Sequence, residues 1–352
     1  MKNIDGLSQL PGGLSARLNL NGKDYLYFGG TAYLGIPQND QFLKHYIEGL
    51  RRFGLNNGTS RNNNVQLGIY NEAEQYAAGY YAAEAALIMS SGYLAAQLAV
   101  HYASLLGRIS YAPATHPALW LNGDPGITGT FSTWSETILK EINDSREVHW
   151  VLISNSMNNL FPEIYDFSFL SRLKPGKHVL VLLDDSHGIG VLNRGSGAER
   201  TIPGADVLYV ASMAKGPGVD AGIILGNEKH ISSLKQMPQF PGASPPAAAG
   251  LYAFMKAKSI YQEAWEQLQT LQAYLMQQQI VQDHFEYIPE FPAFLDRKEG
   301  LADRLLAHQV LISAFPYPDS RGPRINRIVL SSWHTRSQLD KLLNLLPGVI
   351  KA

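Results

Sequence analysis

Six short apolar runs, each bounded by Gly, Ser or Asp, recur through the middle of the chain. They are "AALIM" from residue 85, "RISYA" from 108, "HWVLIS" from 149, "HVLVLL" from 178, "DVLYV" from 206 and "AGIILG" from 221. Their apolar positions are consecutive rather than alternating, and many are β-branched, so each predicts a strand covered on both faces. Stretches with helical spacing lie between most of them. That succession predicts an α/β fold with a mostly parallel central sheet and helices on both faces.

From about Ser244 the texture changes. "SPPAAAGLYAFMKAKSIYQEAWEQLQTLQAYLMQQQ" is rich in Ala, Gln and Leu with few breakers, which predicts one long helix leading out of the large domain. After it come "EYIPEFPAFL", the helical "GLADRLLAHQ", "VLISAFPYP", a strand in "RIVLSS" and an amphipathic helix in "TRSQLDKLLNLL". This is the pattern of a small α+β domain. The expected division is an N-terminal segment over 1–40, a large domain over 41–250, and a linking helix with a small C-terminal domain over 251–352. The polar "LNNGTSRNNN" at 55–64 must be a loop.

Composition narrows the function classes. The chain has 352 residues, too many for one compact core of ordinary size. Lys+Arg 29 against Asp+Glu 30 gives no basic patchwork for a nucleic acid. The absence of cysteine removes disulfides, thiolate metal sites and a cysteine nucleophile together. "MKNIDGLSQLPGGLS" lacks the apolar stretch of a signal peptide, and no window reaches the length of a membrane span. The expectation is a cytoplasmic protein with neither nucleic acid nor membrane as partner and no metal.

Ligands of open α/β sheets sit outside the carboxyl ends of the strands, so the residues after each run carry the chemistry. "IMSSGYL" passes from strand through Ser91 and Gly92 into a helix, where backbone N–H groups suit a phosphate, although Ser and Gly also cap helices for structural reasons alone. Asp184 follows "HVLVLL", with Asp185 expected to turn the chain and His187 three residues on. After "DVLYV" comes "ASMAKGPG", in which Lys215 is the one charged residue between Asp206 and Asp220. An isolated lysine is usually solvated. A poorly solvated one has a lowered amine pKa and becomes a nucleophile. Pyridoxal phosphate uses all of these: a lysine for the imine, a carboxylate for the pyridine nitrogen, a flat side chain on the ring and an anion site.

The motifs also resemble a family. "TAYLGIP", "NNGTSRNNNVQLGIYNEAE", "EAALIMSSGYLAA", "DDSHGIGVLNRGSG", "SMAKGPGVDAG" and "NRIVLSSWHT" are similar to segments of the α-oxoamine synthases, which are fold-type I pyridoxal-phosphate enzymes. The likeness spans nearly the whole chain. It implies the fold-type I transferase architecture, a homodimer with its site at the subunit interface, and roles by position. Lys215 would bind the cofactor and remove the substrate's α-proton. Asp184 would anchor the pyridinium, His187 would reach the ring's phenolic oxygen, and His116 in "APATHPALW" would stack on the ring. Ser91, Gly92, Tyr93 and Ser212 would surround the phosphate or ring edge, with Ser156 near the ring oxygen and Ser244 supplying a hydroxyl from the partner subunit. Arg327 would take the amino-acid carboxylate, with Tyr33 and Arg61 also facing substrate.

The resemblance implies condensation of a small amino acid with an acyl-CoA, release of CoA and decarboxylation to an α-aminoketone. The family's histidine in "LHxxLE" is Tyr70 here, and Val65, Gln66, Gly242 and Ala243 also depart from its pattern. The alternative is an aminotransferase or lyase that uses the same cofactor without acyl-CoA. A cofactor-binding subunit without turnover disagrees with the presence of Lys215. A dinucleotide loop in "GIGVLNRG" fails on glycine spacing.

Overall fold

The computed structural model describes residues 7, 9–158, 160–298, 300–316 and 324–351. Its strands are β1 Arg17–Leu20, β2 Lys23–Phe28, β3 Ala85–Met89, β4 Arg108–Tyr111, β5 His149–Asn155, β6 His178–Asp184, β7 Ala205–Ser212, β8 Gly222–Gly226, β9 Ala293–Asp296, β10 Val310–Pro316 and β11 Arg324–Val329. The helices used below are α1 Asp40–Phe53, α2 Ile69–Tyr80, α3 Gly92–Ala103 and α4 Phe131–Asp144. They continue with α5 Glu228–Gln236, α6 Gln239–Gly242, α7 Ala248–Lys256 and α8 Lys258–Met276. The chain divides into two compact units, one of Gln41–Asn159 and Glu163–Lys258, the other of Met1–Asp40, Leu160–Pro162 and Ser259–Ala352.

In the first unit the six apolar runs form one sheet in the order β3-β8-β7-β6-β5-β4. The pairs β4–β5, β5–β6 and β6–β7 are parallel, while β8 runs antiparallel to both of its neighbours. The expected mostly parallel sheet is therefore present, with one reversed strand. Its inner face packs on α3, whose Ala95, Ala96, Ala99 and Ala103 let the helix sit close over Val151, Ile153, Leu182, Leu208 and Val210. Each such branched side chain removed from water contributes about 1.5–3 kcal/mol.

β3 is an edge strand, and its outward backbone is closed by side chains. Ile88 N–H donates to Glu74 Oε1 at 3.0 Å, and Arg61 Nη2 donates to Ile88 O at 2.6 Å. Covering an edge in this way blocks pairing with another chain.

The second unit holds a five-stranded sheet, β1-β2-β10-β11-β9. The residues 1–40, expected as a segment apart, contribute β1 and β2 to it, with β2 pairing parallel to β10. Asn21 and Gly22, both at positive φ (51° and 75°), make the turn between β1 and β2. "LNLNGKDYLYF" carries that hairpin signal, an Asn-Gly pair between alternating apolar residues. Tyr317 and Pro318, at the end of the run expected as "VLISAFPYP", lie outside the described residues.

The expected long helix is two helices. Its first four residues, Ser244 to Ala247, precede α7, because prolines at 245 and 246 push the residues before them out of helical geometry. The chain then breaks at Ala257, which lies between α7 and α8 and is fully buried. No Gly or Pro marks that break, so tertiary packing overrides local propensity there. Among the described residues no helix is long and apolar enough to cross a membrane, and no group of three or more His, Asp or Glu could hold a metal ion.

Candidate functional site

The carboxyl ends of β5 and β6 present Asn155 and Asp184 side by side in register, and on the adjacent β7 Asp184 pairs with Val210, two residues before Ser212. After β6 the chain turns immediately. Ser186 N–H donates to Asp184 Oδ1 at 2.8 Å, which fixes the carboxylate, and Ser186 Oγ accepts from Ser212 N–H at 2.9 Å. Ser186 thus ties the turn after β6 to the end of β7.

That link brings the two parts of the sequence together. Lys215 Nζ lies 2.9 Å from His187 Nε2, and both residues are half-buried. His116 belongs to the same electrostatic neighbourhood. Burial holds its imidazole below the ordinary histidine range, the Asp184 carboxylate pulls it back up, and Lys215 pushes it down. Its ring is oriented by Ala118 N–H, which donates to Nδ1 at 3.1 Å, so the neutral ring carries its proton on Nε2. Asn155 holds the backbone of this loop, accepting from His116 N–H at 3.1 Å and donating to Ala114 O at 2.8 Å.

Ser91, Gly92 and Ser212 also meet. Ser91 caps α3, its hydroxyl accepting from Leu94 N–H at 3.2 Å. A Cβ on Gly92 would lie 2.6 Å from Ser212 Cβ, so only glycine lets the start of α3 rest against the end of β7. Tyr93, in the first turn of α3, is exposed.

Other expected residues have different surroundings. Ser156 Oγ donates to Asp185 Oδ1 at 2.8 Å, so its hydroxyl orients the second aspartate. Asp185 is buried and accepts also from Ala198 N–H at 2.9 Å. Burial pushes its carboxyl up, and the charge of Arg200 draws it down. Ser244 is exposed on the segment between α6 and α7. In the second unit Tyr33 and Arg327 are both buried, and burial raises the Tyr33 phenol while Arg327 draws it down.

Arg61, expected to face substrate, has several partners within the protein. Besides Ile88 O, its guanidinium pairs with Glu74 Oε1 at 3.7 Å and lies over the rings of Tyr70 and Phe240 at 5.3 and 4.4 Å. Lys235 Nζ takes the other Glu74 oxygen at 2.6 Å. Its fork is thus engaged by Glu74 and by the backbone of an edge strand. Tyr70, at the family's histidine position, is buried, and its hydroxyl donates to Pro246 O at 3.4 Å.

Sequence reasoning passed over Asn155, Ser186 and Glu74. The first two were within reach of its own rule, since they stand at or just after the ends of apolar runs. Nothing local marks Glu74 as the partner of two cations distant in the chain.

No protein-family model matches the chain. In sequence it is similar to the 8-amino-7-oxononanoate synthase of Burkholderia cenocepacia, 25% identical over 66% of this chain and 63% of that enzyme. The chain thus spans under two thirds of that relative's length. The 8-amino-7-oxononanoate synthase of Petrotoga mobilis is 23% identical over 94% of this chain and 89% of its own. In structure the chain resembles a serine palmitoyltransferase from S. paucimobilis solved with a bound PLP-myriocin aldimine, with a TM-score of 0.82 and 15% identity over 97% of this chain and 91% of that one. It also resembles the 8-amino-7-oxononanoate synthase of Francisella tularensis, with a TM-score of 0.70 and 17% identity over 93% and 98% of the two chains. The fold is that of these fold-type I enzymes.

Proposed function

We propose that this chain is a pyridoxal-phosphate-dependent acyltransferase of the α-oxoamine synthase type, condensing a small amino acid with an acyl-CoA and releasing CoA and carbon dioxide. The observation that carries the reading is the meeting of Lys215 with His187 at 2.9 Å beside Asp184 and His116, at the carboxyl ends of adjacent strands. The relatives' printed activities support it. The cofactor fits the residues present: Gly92 and Gly222 leave no room for a Cβ where α3 meets β7 and β8, so the start of α3, whose N–H groups suit a phosphate, rests against Ser212.

When bound, pyridoxal phosphate supplies an electron sink for a carbanion next to its imine. Lys215 would hold it covalently and carry the substrate's α-proton on Nζ. His187, hydrogen-bonded to that amine, would steady the lysine and lend a donor to the cofactor's phenolic oxygen. Asp184, its Oδ1 fixed by Ser186 N–H, would keep a proton on the pyridine nitrogen. His116, held by burial in its neutral form, would cover the ring as a flat face without adding charge. Arg327 would take the amino-acid carboxylate, since a planar fork suits bidentate binding, and Tyr33 would adjoin it. Ser91, Gly92, Tyr93 and Ser212 would hold the phosphate, and Ser244 would reach the partner's cofactor in a homodimer.

The test is release of free CoA thiol from the cofactor-loaded protein, offered small amino acids with acyl-CoAs of increasing chain length. Release that requires both substrates is expected. If no pair releases thiol while amino acids still change the cofactor's absorbance, acyl transfer is wrong and an aminotransferase or lyase takes its place.

A further inference from the structure

Asp185 follows the aspartate assigned to the cofactor, yet it points into the protein. Its carboxylate is the hub of a closed network. Ser156 Oγ, at the end of β5, donates to one oxygen and Ala198 N–H to the other. Arg200 Nη1 stands 3.7 Å from Oδ2 and, being buried, has no hydrogen-bond partner among the described residues, so Asp185 is its ion-pair partner. Arg200 is itself anchored on three sides. Nε donates to Tyr81 O at 3.1 Å, Nη2 donates to Ser196 O, and the guanidinium lies over the Tyr209 ring at 4.5 Å.

The network touches the reactive turn by direct packing. A Cβ on Gly188 or Gly197 would overlap the Asp185 carboxylate, so both backbones lie against it. On its far side the same turn meets the lysine loop, where a Cβ on Gly216 would overlap Ile189 O. Arg200, Asp185, Gly188–Ile189 and Gly216 therefore form a contiguous chain of contacts ending next to Lys215, and His187 sits on the turn in between. Densely packed contacts of this kind transmit small displacements rather than absorb them.

We propose that Asp185 and Arg200 are positioning residues that set the separation of His187 and Lys215, and through it the affinity and protonation of the bound cofactor. This rests on the pyridoxal-phosphate reading above. Neither residue is assigned any contact with cofactor or substrate.

The experiment compares the wild type with Asp185→Asn, Arg200→Met and Arg200→Lys. Three quantities are read: pyridoxal phosphate affinity by titration, the pH midpoint of the bound cofactor's absorbance change, and the melting temperature without cofactor. Positioning predicts cofactor binding weaker by about 10-fold in Asp185→Asn and Arg200→Met, with a displaced pH midpoint. Arg200→Lys should fall between them and the wild type, because one ammonium cannot make both backbone bonds of the guanidinium. Variants that melt earlier but keep the wild-type affinity and midpoint overturn the proposal. If only Arg200→Lys folds, a midpoint at the wild-type value overturns it equally. A wild type that binds no pyridoxal phosphate contradicts the cofactor reading itself and removes the basis of this one, an outcome visible before any variant is compared.

Discussion

Around Lys215 the ionisable side chains are half-buried and are oriented mainly by backbone groups: Ser186 N–H on Asp184, Ala118 N–H on His116. Around Glu74 they hold one another, with Arg61 and Lys235 on the two oxygens of one buried carboxylate. Both groups lie on motifs that resemble the same family. The difference is what remains available. Glu74 satisfies two cations and an edge-strand N–H, so the cluster has a structural use and no group left to react. The Lys215 cluster places an amine beside an imidazole, and protons can move there. A charged motif residue is chemical only where its partners leave it something to do.

That contrast can be broken most sharply by exchanging the expected losses. Lys215→Ala should reduce turnover by about 10³-fold or more while leaving the melting temperature of the cofactor-free protein nearly unchanged. Steady-state assay and thermal melting together check this. Glu74→Gln should do the reverse. Leaving Arg61 with an uncompensated buried charge costs about 3–5 kcal/mol, which denaturant unfolding would read, whereas the protein that remains folded should keep its cofactor affinity. Equal effects of the two variants on cofactor binding would erase the distinction.

A smaller effect follows from pH. Burial holds the His116 pKa in the folded protein below the value of about 6.5 that an unfolded chain has. Just below that pH the unfolded chain binds more protons than the folded one. Stability from this site is therefore full above about 6.5 and is lost as pH falls, by at most about 1.4 kcal/mol per pH unit. His116→Asn should blunt the acid-side loss in a melting-temperature series. The smallest change is Tyr70→Phe, which removes one long hydrogen bond to Pro246 O and should cost about 0.5 kcal/mol. A loss several times larger would mean that the hydroxyl does more than close a carbonyl.

Consecutive apolar residues made the sheet legible, because a strand covered on both faces leaves that signature whatever its neighbours. The same rule pointed at Asp184 and Lys215, which follow two strands that lie next to each other. The break at Ala257 left no local trace, since it comes from packing around a buried alanine. Arg61 could not be resolved from its motif, because its fate depends on Glu74 and on the backbone of β3, which the fold alone brings within reach. The hairpin of β1 and β2 was written in Asn21-Gly22, and its joining to β10 spans most of the chain. Local chemistry is thus readable, while pairing across long separations is not.

The most direct test of the central claim is borohydride reduction of the protein loaded with pyridoxal phosphate, followed by peptide mass spectrometry. The account predicts a stable pyridoxyl adduct on Lys215 that disappears in Lys215→Ala. An adduct absent from the wild type, or found equally on other lysines, would contradict it.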